Sequence, residues 1–270
     1  AQPGAVSYEQ AEQLHNDASV IINCTPCGMF PKADAMPIHP ELFPHLEGVL
    51  DAIYNPLRSD LIQKTASMHK KAEGGLYMLV RQAVAAAEHF MGRPMKDGLT
   101  ERIYRELLGE KQNIVLIGMP CSGKSTIGRF LAAQTGRQLV DTDTEIEKQA
   151  GMRIPEIFEK YGETYFRNLE TKVIHEISTQ GSLIIATGGG AVLRQENVHY
   201  LRRMGRLYFL DRPPELLIPS SSRPLAASPE AIRKRYRERY GIYCVAADEI
   251  IPNKADSYTA AADIRRRHFE

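Results

Sequence analysis

Net charge is nearly absent from this sequence: 34 Lys and Arg stand against 33 Asp and Glu, leaving +1. So small an excess sets up no broad field that would draw the chain to nucleic acid or to an anionic membrane. Long apolar runs are absent too. The longest, such as IVLIGM and SLIIA, fall far below the roughly 20 residues a helix needs to cross a bilayer. No basic-then-apolar leader opens the chain, so the expected location is cytoplasmic. Cysteine is scarce: Cys24, Cys27, Cys121 and Cys244 are too few and too scattered for a disulfide framework, and a reducing compartment fits. An initiator Met is missing from the opening AQPGAVSYEQ, which reads as a trimmed or fragmentary start. What remains is ordinary: 43% hydrophobic and 25% charged residues over 270 positions, as in globular proteins of one large or two modest domains.

Two blocks of strand and helix patterns predict an α/β fold. The first, residues 1–110, reads helix (SYEQAEQLHND), strand (ASVIIN), a Pro-rich loop, strand (GVLDAIY) and further helices. It closes with MGRPMKDGLTERIYRELLGEKQ, turn residues running into an amphipathic helix and linker. The second, residues 111–270, alternates strand and helix to its end. No internal repeat or low-complexity tract interrupts either.

The second block opens on NIVLIGMPCSGKSTIGRFLAAQTG, which fits G-x-x-x-x-G-K-[ST] at residues 118–125. A β-branched strand (residues 114–117) precedes the motif and a helix (residues 126–134) follows it, the context a phosphate-binding loop requires. Backbone N–H groups of Gly118, Met119, Cys121, Ser122 and Gly123 can then wrap the phosphates, with Pro120 shaping the loop between them. Ser125 and Thr126 open the helix, whose dipole adds to the site. Lys124 reaches the β- and γ-phosphates, and Ser125 offers an oxygen to Mg²⁺. Cys121 fills a variable position that contributes backbone rather than side chain.

Five stretches bear on the phosphoryl acceptor. In LVDTDTEIE, Asp141 and Asp143 fall at the end of a second apolar strand. One could order Mg²⁺ water while the other meets a substrate hydroxyl; the helix cap is expected from Thr142 or Thr144. In GETYFRNLE, Arg167 and Glu170 share a helical face, as a surface ion pair or as a carboxylate-directed arginine. LIIATGGGAV ends an apolar strand in Gly188, Gly189 and Gly190, which suits close approach of a ligand to the backbone. IPSSSRPLAASPE is a small-residue loop whose single basic residue, Arg223, could serve a closing lid. In the helix PEAIRKRYRERYGIY most arginines read as a solvated face, and only Arg239 is singled out.

The ordered matches GMPCSGKST, VDTD, GETYFRNLE, ATGGGAV, RPL and ERYGIY resemble shikimate kinase, of the nucleoside-monophosphate-kinase-like P-loop fold. The resemblance implies a parallel sheet flanked by helices, with ATP, Mg²⁺ and shikimate as ligands. It implies that Asp141 assists Ser125 at Mg²⁺ and that Asp143 binds shikimate hydroxyls as general base. Arg167 and Arg239 would grip the shikimate carboxylate, Gly188, Gly189 and Gly190 would line its ring, and Arg223 would be the lid arginine touching nucleotide and substrate. Lys124, Asp143 and Arg223 would then carry the transfer to the 3-hydroxyl. The lid stretch departs from the family in having no second basic residue before Arg223, and in RPLA where RPLL is usual.

In the first block, VIINCTPCGM, VLDAIYNPLRSDLIQKTA and AEGGLYMLVRQAVAAAEHFMG come in an order that resembles the C-terminal half of shikimate dehydrogenase. This implies a partial Rossmann-type block in which the stretch from Thr25 to residue 29 passes near NADP, Tyr54 and Gln82 face shikimate, and Gly75 and Met78 lie near the nicotinamide. Core packing is the competing account of Met78. The family's catalytic Lys and Asp and its glycine-rich phosphate turn are missing, so NADP belongs to this chain only together with a dehydrogenase half expected in a longer bifunctional protein. C-x-x-C at residues 24–27 reads accordingly as a turn, with the cysteines at its variable positions. Against this whole reading stand a gluconate-type P-loop kinase and a nucleotide-binding scaffold protein.

Overall fold

The computed structural model describes residues 5–217, 229–254 and 256–270. The chain separates into two units, Ala1–Leu108 and Gly109–Glu270. Both are α/β, and every strand pair in them is parallel.

In the first unit, α1 (Tyr8–Leu14) precedes β1 (Val20–Asn23), and β2 (Gly48–Asp51), α2 (Asp60–Ser67), β3 (Lys71–Glu73) and α3 (Leu76–Met91) follow. The sheet order is β1-β2-β3. Side chains alternate across a strand, and here the two faces fare differently. Ile21 and Val49 pack with Phe43, Leu46, Leu61 and Ile62 into a small core. On the other face Val20, Ile22 and Leu50 remain 51%, 62% and 48% exposed. Parallel sheets are ordinarily covered on both faces, so this bare apolar face is unusual. The unit boundary falls within α4 (Leu99–Lys111).

The second unit contains β4 (Asn113–Ile117), α5 (Lys124–Thr135), β5 (Leu139–Asp141), α6 (Thr142–Ala150) and α7 (Ile154–Ile177). It continues with β6 (Ile184–Ala186), α8 (Gln195–Met204), β7 (Gly205–Asp211), α9 (Pro229–Ala246), β8 (Glu249–Pro252) and α10 (Ser257–Phe269). Strand order is β5-β6-β4-β7-β8, with β4 central. All five residues of β4 are buried, as expected of a strand covered on both faces. Val115 and Ile117 face a core shared with α6 to α9 through Ile146, Ile174, Leu201 and Tyr243. Ile114 and Leu116 face the other core, made with Ile127 and Leu131 of α5 and Ala261 and Ile264 of α10.

Boundaries differ from the sequence pattern in instructive ways. The helix after the phosphate loop starts at Lys124 rather than at residue 126, because Gly123, at φ 92°, ends the loop and lets the helix begin at once. Asp143 lies in the first turn of α6, not at a strand end. The cap of that helix is Asp141 rather than Thr142 or Thr144: its Oδ1 accepts from the N–H groups of Asp143 (3.0 Å) and Thr144 (3.4 Å). Gly162, at φ 79°, kinks α7 into two segments. Among the described residues, no helix is long and apolar enough to cross a membrane.

Candidate active site

In open parallel α/β sheets ligands bind beyond the carboxyl ends of the strands, where strand order reverses. The loop after central β4 occupies that place. Gly118 (φ 146°) and Gly123 (φ 92°) take backbone conformations that favour glycine, and Cys121 sits at φ 65° without being one. The strain at Cys121 shows the loop geometry overriding local preference, consistent with a backbone role for this position.

Lys124 is buried, and its Nζ donates to the carbonyls of Gly118 and Met119 (both 2.8 Å) and towards Ser122 Oγ (3.5 Å). Asn253, between β8 and α10, donates to the carbonyl of Ser122 from outside the motif (2.7 Å). Ser125 Oγ donates to Asp141 Oδ2 (2.7 Å), which brings together the two residues expected at a divalent cation. The other oxygen of Asp141 caps α6 and so fixes the helix turn that carries Asp143.

Beside this loop lies a cavity of about 290 Å³. Pro120, Asp143, Arg167, Gly188, Gly189, Gly190 and Arg239, all expected from the sequence, line it. Thr142 Oγ1 accepts from the N–H of Gly188 (2.9 Å), tying the glycine turn to α6. The three glycines are needed for space. A Cβ at Gly188 would lie 2.7 Å from Asp143 Oδ1 and 3.0 Å from Glu170 Oε1. At Gly189 it would lie 2.7 Å from the Pro120 ring, and at Gly190 2.7 Å from Arg167 Cζ. Arg239 Nη1 donates to the carbonyl of Gly189 (3.1 Å), as does the hydroxyl of Tyr243. Burial pushes that hydroxyl up to about 12, so it stays a donor at neutral pH.

The Arg167–Glu170 pair is no surface pair. Arg167 Nη1 donates to Glu170 Oε2 at 2.8 Å, with the two side chains 11% and 1% exposed. Nε and Nη2 of Arg167 donate to exposed Glu163 (3.3 and 3.2 Å). Burial raises the Glu170 carboxyl above its ordinary range, with Arg167 pulling it back and Asp143 adding to the rise. Oε1 of Glu170 is buried and has no hydrogen-bond partner among the described residues.

Several lining residues are not singled out by the sequence: Glu147, Arg153, Ile154, Pro155, Phe158, Phe166 and Arg235. Most lie on the two segments of α7, and the kink at Gly162 was the one signal that could have pointed to them. Arg235 and Arg239 are four apart on α9, a spacing that puts both on one face. Arg223 lies outside the described residues.

In the first unit the expected residues are Thr25, Tyr54, Gly75, Met78 and Gln82. Asn23 Oδ1 accepts from both N–H and hydroxyl of Thr25 (3.0 and 2.8 Å), and Thr25 Oγ1 accepts from the N–H of Cys27 (3.3 Å). Asn23 and Thr25 thus build the turn, with Cys24 and Cys27 at its spacer positions. Tyr54 and Met78 are exposed (42% and 51%), so core packing does not account for Met78. Gln82 is exposed on α3, and Gly75 stands at that helix's N-cap against the carbonyl of Ala52, with no room for a Cβ.

The sequence model of shikimate kinase matches residues 120–267. The chain belongs to the shikimate kinase family. A shikimate kinase from Clostridium beijerinckii is 43% identical over 147 residues, 53% of this chain and 86% of its own length. Among solved structures, the shikimate kinase from Acinetobacter baumannii in complex with shikimate is 34% identical with a TM-score of 0.55, covering 60% of this chain and 93% of its own. The Aquifex aeolicus shikimate kinase is 35% identical with a TM-score of 0.51, covering 57% and 94%. The second unit therefore has the fold of the shikimate kinases, a parallel sheet flanked by helices with a phosphate-binding loop after its central strand.

Proposed function

We propose that this chain transfers the γ-phosphoryl group of ATP to the 3-hydroxyl of shikimate, and that the residues gathered around the phosphate loop carry the transfer. The observation behind the proposal is the meeting of Asp143, Arg167, Arg239 and three glycines in one cavity beside that loop. The loop N–H groups of residues 118, 119 and 121–123 and Lys124 would hold the nucleotide phosphates, since a buried ammonium beside glycine-rich backbone matches that charge. Ser125 and Asp141, already in contact, form an oxygen donor set that suits Mg²⁺. When bound, Mg²⁺ supplies charge neutralisation at the phosphates.

The protein's own groups do the rest. Arg167, oriented by Glu170, and Arg239, oriented by the carbonyl of Gly189, present guanidiniums to the acceptor carboxylate. Asp143 accepts the proton of the attacking hydroxyl, and the glycine turn lets the ring approach the backbone. Arg223 is assigned to the lid on resemblance. Positioning and electrostatics account for the acceleration, because phosphoryl transfer asks for little covalent chemistry from the protein.

A coupled ADP-release assay with shikimate, gluconate and nucleoside monophosphates tests this. Turnover is expected with shikimate alone, and the product should be the 3-phosphate by phosphorus NMR. Preference for gluconate or a nucleotide, or ATP binding without turnover on any acceptor, would overturn it.

We infer further that residues 1–110 correspond to the C-terminal part of an NADP-binding dehydrogenase domain whose other half belongs to a longer protein. Three ordered motifs and the bare apolar face of Val20, Ile22 and Leu50 support this. The chain by itself is expected to give no NADP-dependent oxidation of shikimate above background. Measurable NADPH formation would contradict it.

A further inference from the structure

We infer that Arg235 is a specificity-determining residue of the acceptor cavity, adding a third guanidinium to Arg167 and Arg239 around the acceptor's carboxylate. The inference rests on reading this cavity as the shikimate site. Arg235 lines the cavity from α9, one helical turn before Arg239 and on the same face. Its Nη1 is buried and has no hydrogen-bond partner among the described residues.

The two guanidiniums assigned to the acceptor carboxylate already make contacts within the protein. Three nitrogens of Arg167 donate to Glu163 and Glu170, and Arg239 Nη1 donates to the carbonyl of Gly189. Arg235 adds a buried guanidinium nitrogen that has no partner among the described residues. A buried N–H without an acceptor is unfavourable, and native proteins retain such groups where something else satisfies them.

Electrostatics agree with the geometry. Burial, Arg239 and Arg167 all disfavour the charge of Arg235, and Glu238 and Glu163 only partly offset them, so its pKa is lowered. The side chain is thus held in a place that is poor for a cation until an anion arrives. A carboxylate offers about four lone-pair positions, enough to accept from three guanidiniums.

Steady-state kinetics of the full chain with Arg235→Leu and Arg235→Lys test the inference, with shikimate and ATP varied separately and Tm measured alongside. Arg235→Leu is expected to raise KM for shikimate about tenfold, the worth of one charge-assisted hydrogen bond. KM for ATP should move by less than about twofold, and Tm should stay or rise because an unsatisfied buried donor and a like-charge neighbour are gone. Arg235→Lys should recover part of the affinity, as a point charge without the planar fork. An unchanged KM for shikimate, a matching rise in KM for ATP, or a fall in Tm would each overturn the role. Absence of turnover on shikimate by the unaltered chain would remove the underlying reading as well; turnover by that chain with no change in the variant removes the inference alone.

Discussion

Asp143→Asn is expected to lower kcat by about 10²–10⁴-fold, the range for losing a general base, with ATP still bound. The reasons are local. Asp143 sits in the first turn of α6, held by a cap that does not involve its own side chain: Asp141 Oδ1 receives the N–H of Asp143. Asparagine can keep that backbone bond and nearly the same shape, so the helix start and the Ser125–Asp141 contact should survive. What asparagine cannot do is accept the proton of the attacking hydroxyl. Isothermal titration with ATP and single-turnover kinetics separate the two effects. Near-normal turnover would sink the assignment of Asp143 as base.

The second large effect falls on Arg167. Arg167→Ala should raise KM for shikimate by about 10–100-fold, from the loss of charged hydrogen bonds to the acceptor. It should also destabilise the fold by about 3–5 kcal/mol, because it strands a buried carboxylate. Only Glu170 matters for that second figure: its side chain is 1% exposed, whereas Glu163 is 58% exposed and its pairing is worth little.

The stability loss should depend on pH. A carboxyl whose pKa is raised by folding holds its proton more tightly folded than unfolded. Its contribution is present below the unfolded pKa and is lost as pH rises through the folded pKa. Removing Arg167 takes away the one strong force that lowers the Glu170 pKa, so the rise grows. Urea unfolding of variant and parent should therefore differ more near pH 8 than near about pH 5. A gap independent of pH would place the damage in packing rather than in the stranded charge.

Much of the kinase unit is legible in its residues, and the gaps have physical causes. The phosphate loop announces itself because glycines at positive φ, a lysine and a hydroxyl must occur at fixed spacing. Burial of Arg167 and Glu170 is not legible, since i, i+3 spacing is the same on a wet face and a dry one. It is set by the kink at Gly162 and by the glycine turn after β6, which meet α7 only in three dimensions. Asp143 reads as a strand end because LV precedes it, yet a capping carboxylate two residues earlier starts the helix sooner. Arg235 is hidden among the other basic residues of α9, where composition alone cannot tell the wet face from the cavity. In the first unit β3 is only three residues, KAE, without apolar alternation, and nothing in it signals a strand.

Asp141 carries one more implication. One oxygen of this carboxylate holds Ser125 at the start of α5, and the other holds the start of α6 with Asp143 on it. A single planar group thus joins the start of α5 to the start of α6, and a shift of one oxygen tilts the other. Any effect that this group carries from one end to the other must, by thermodynamic reciprocity, be the same factor in both directions. The starts of α5 and α6 are thus tied together through one side chain.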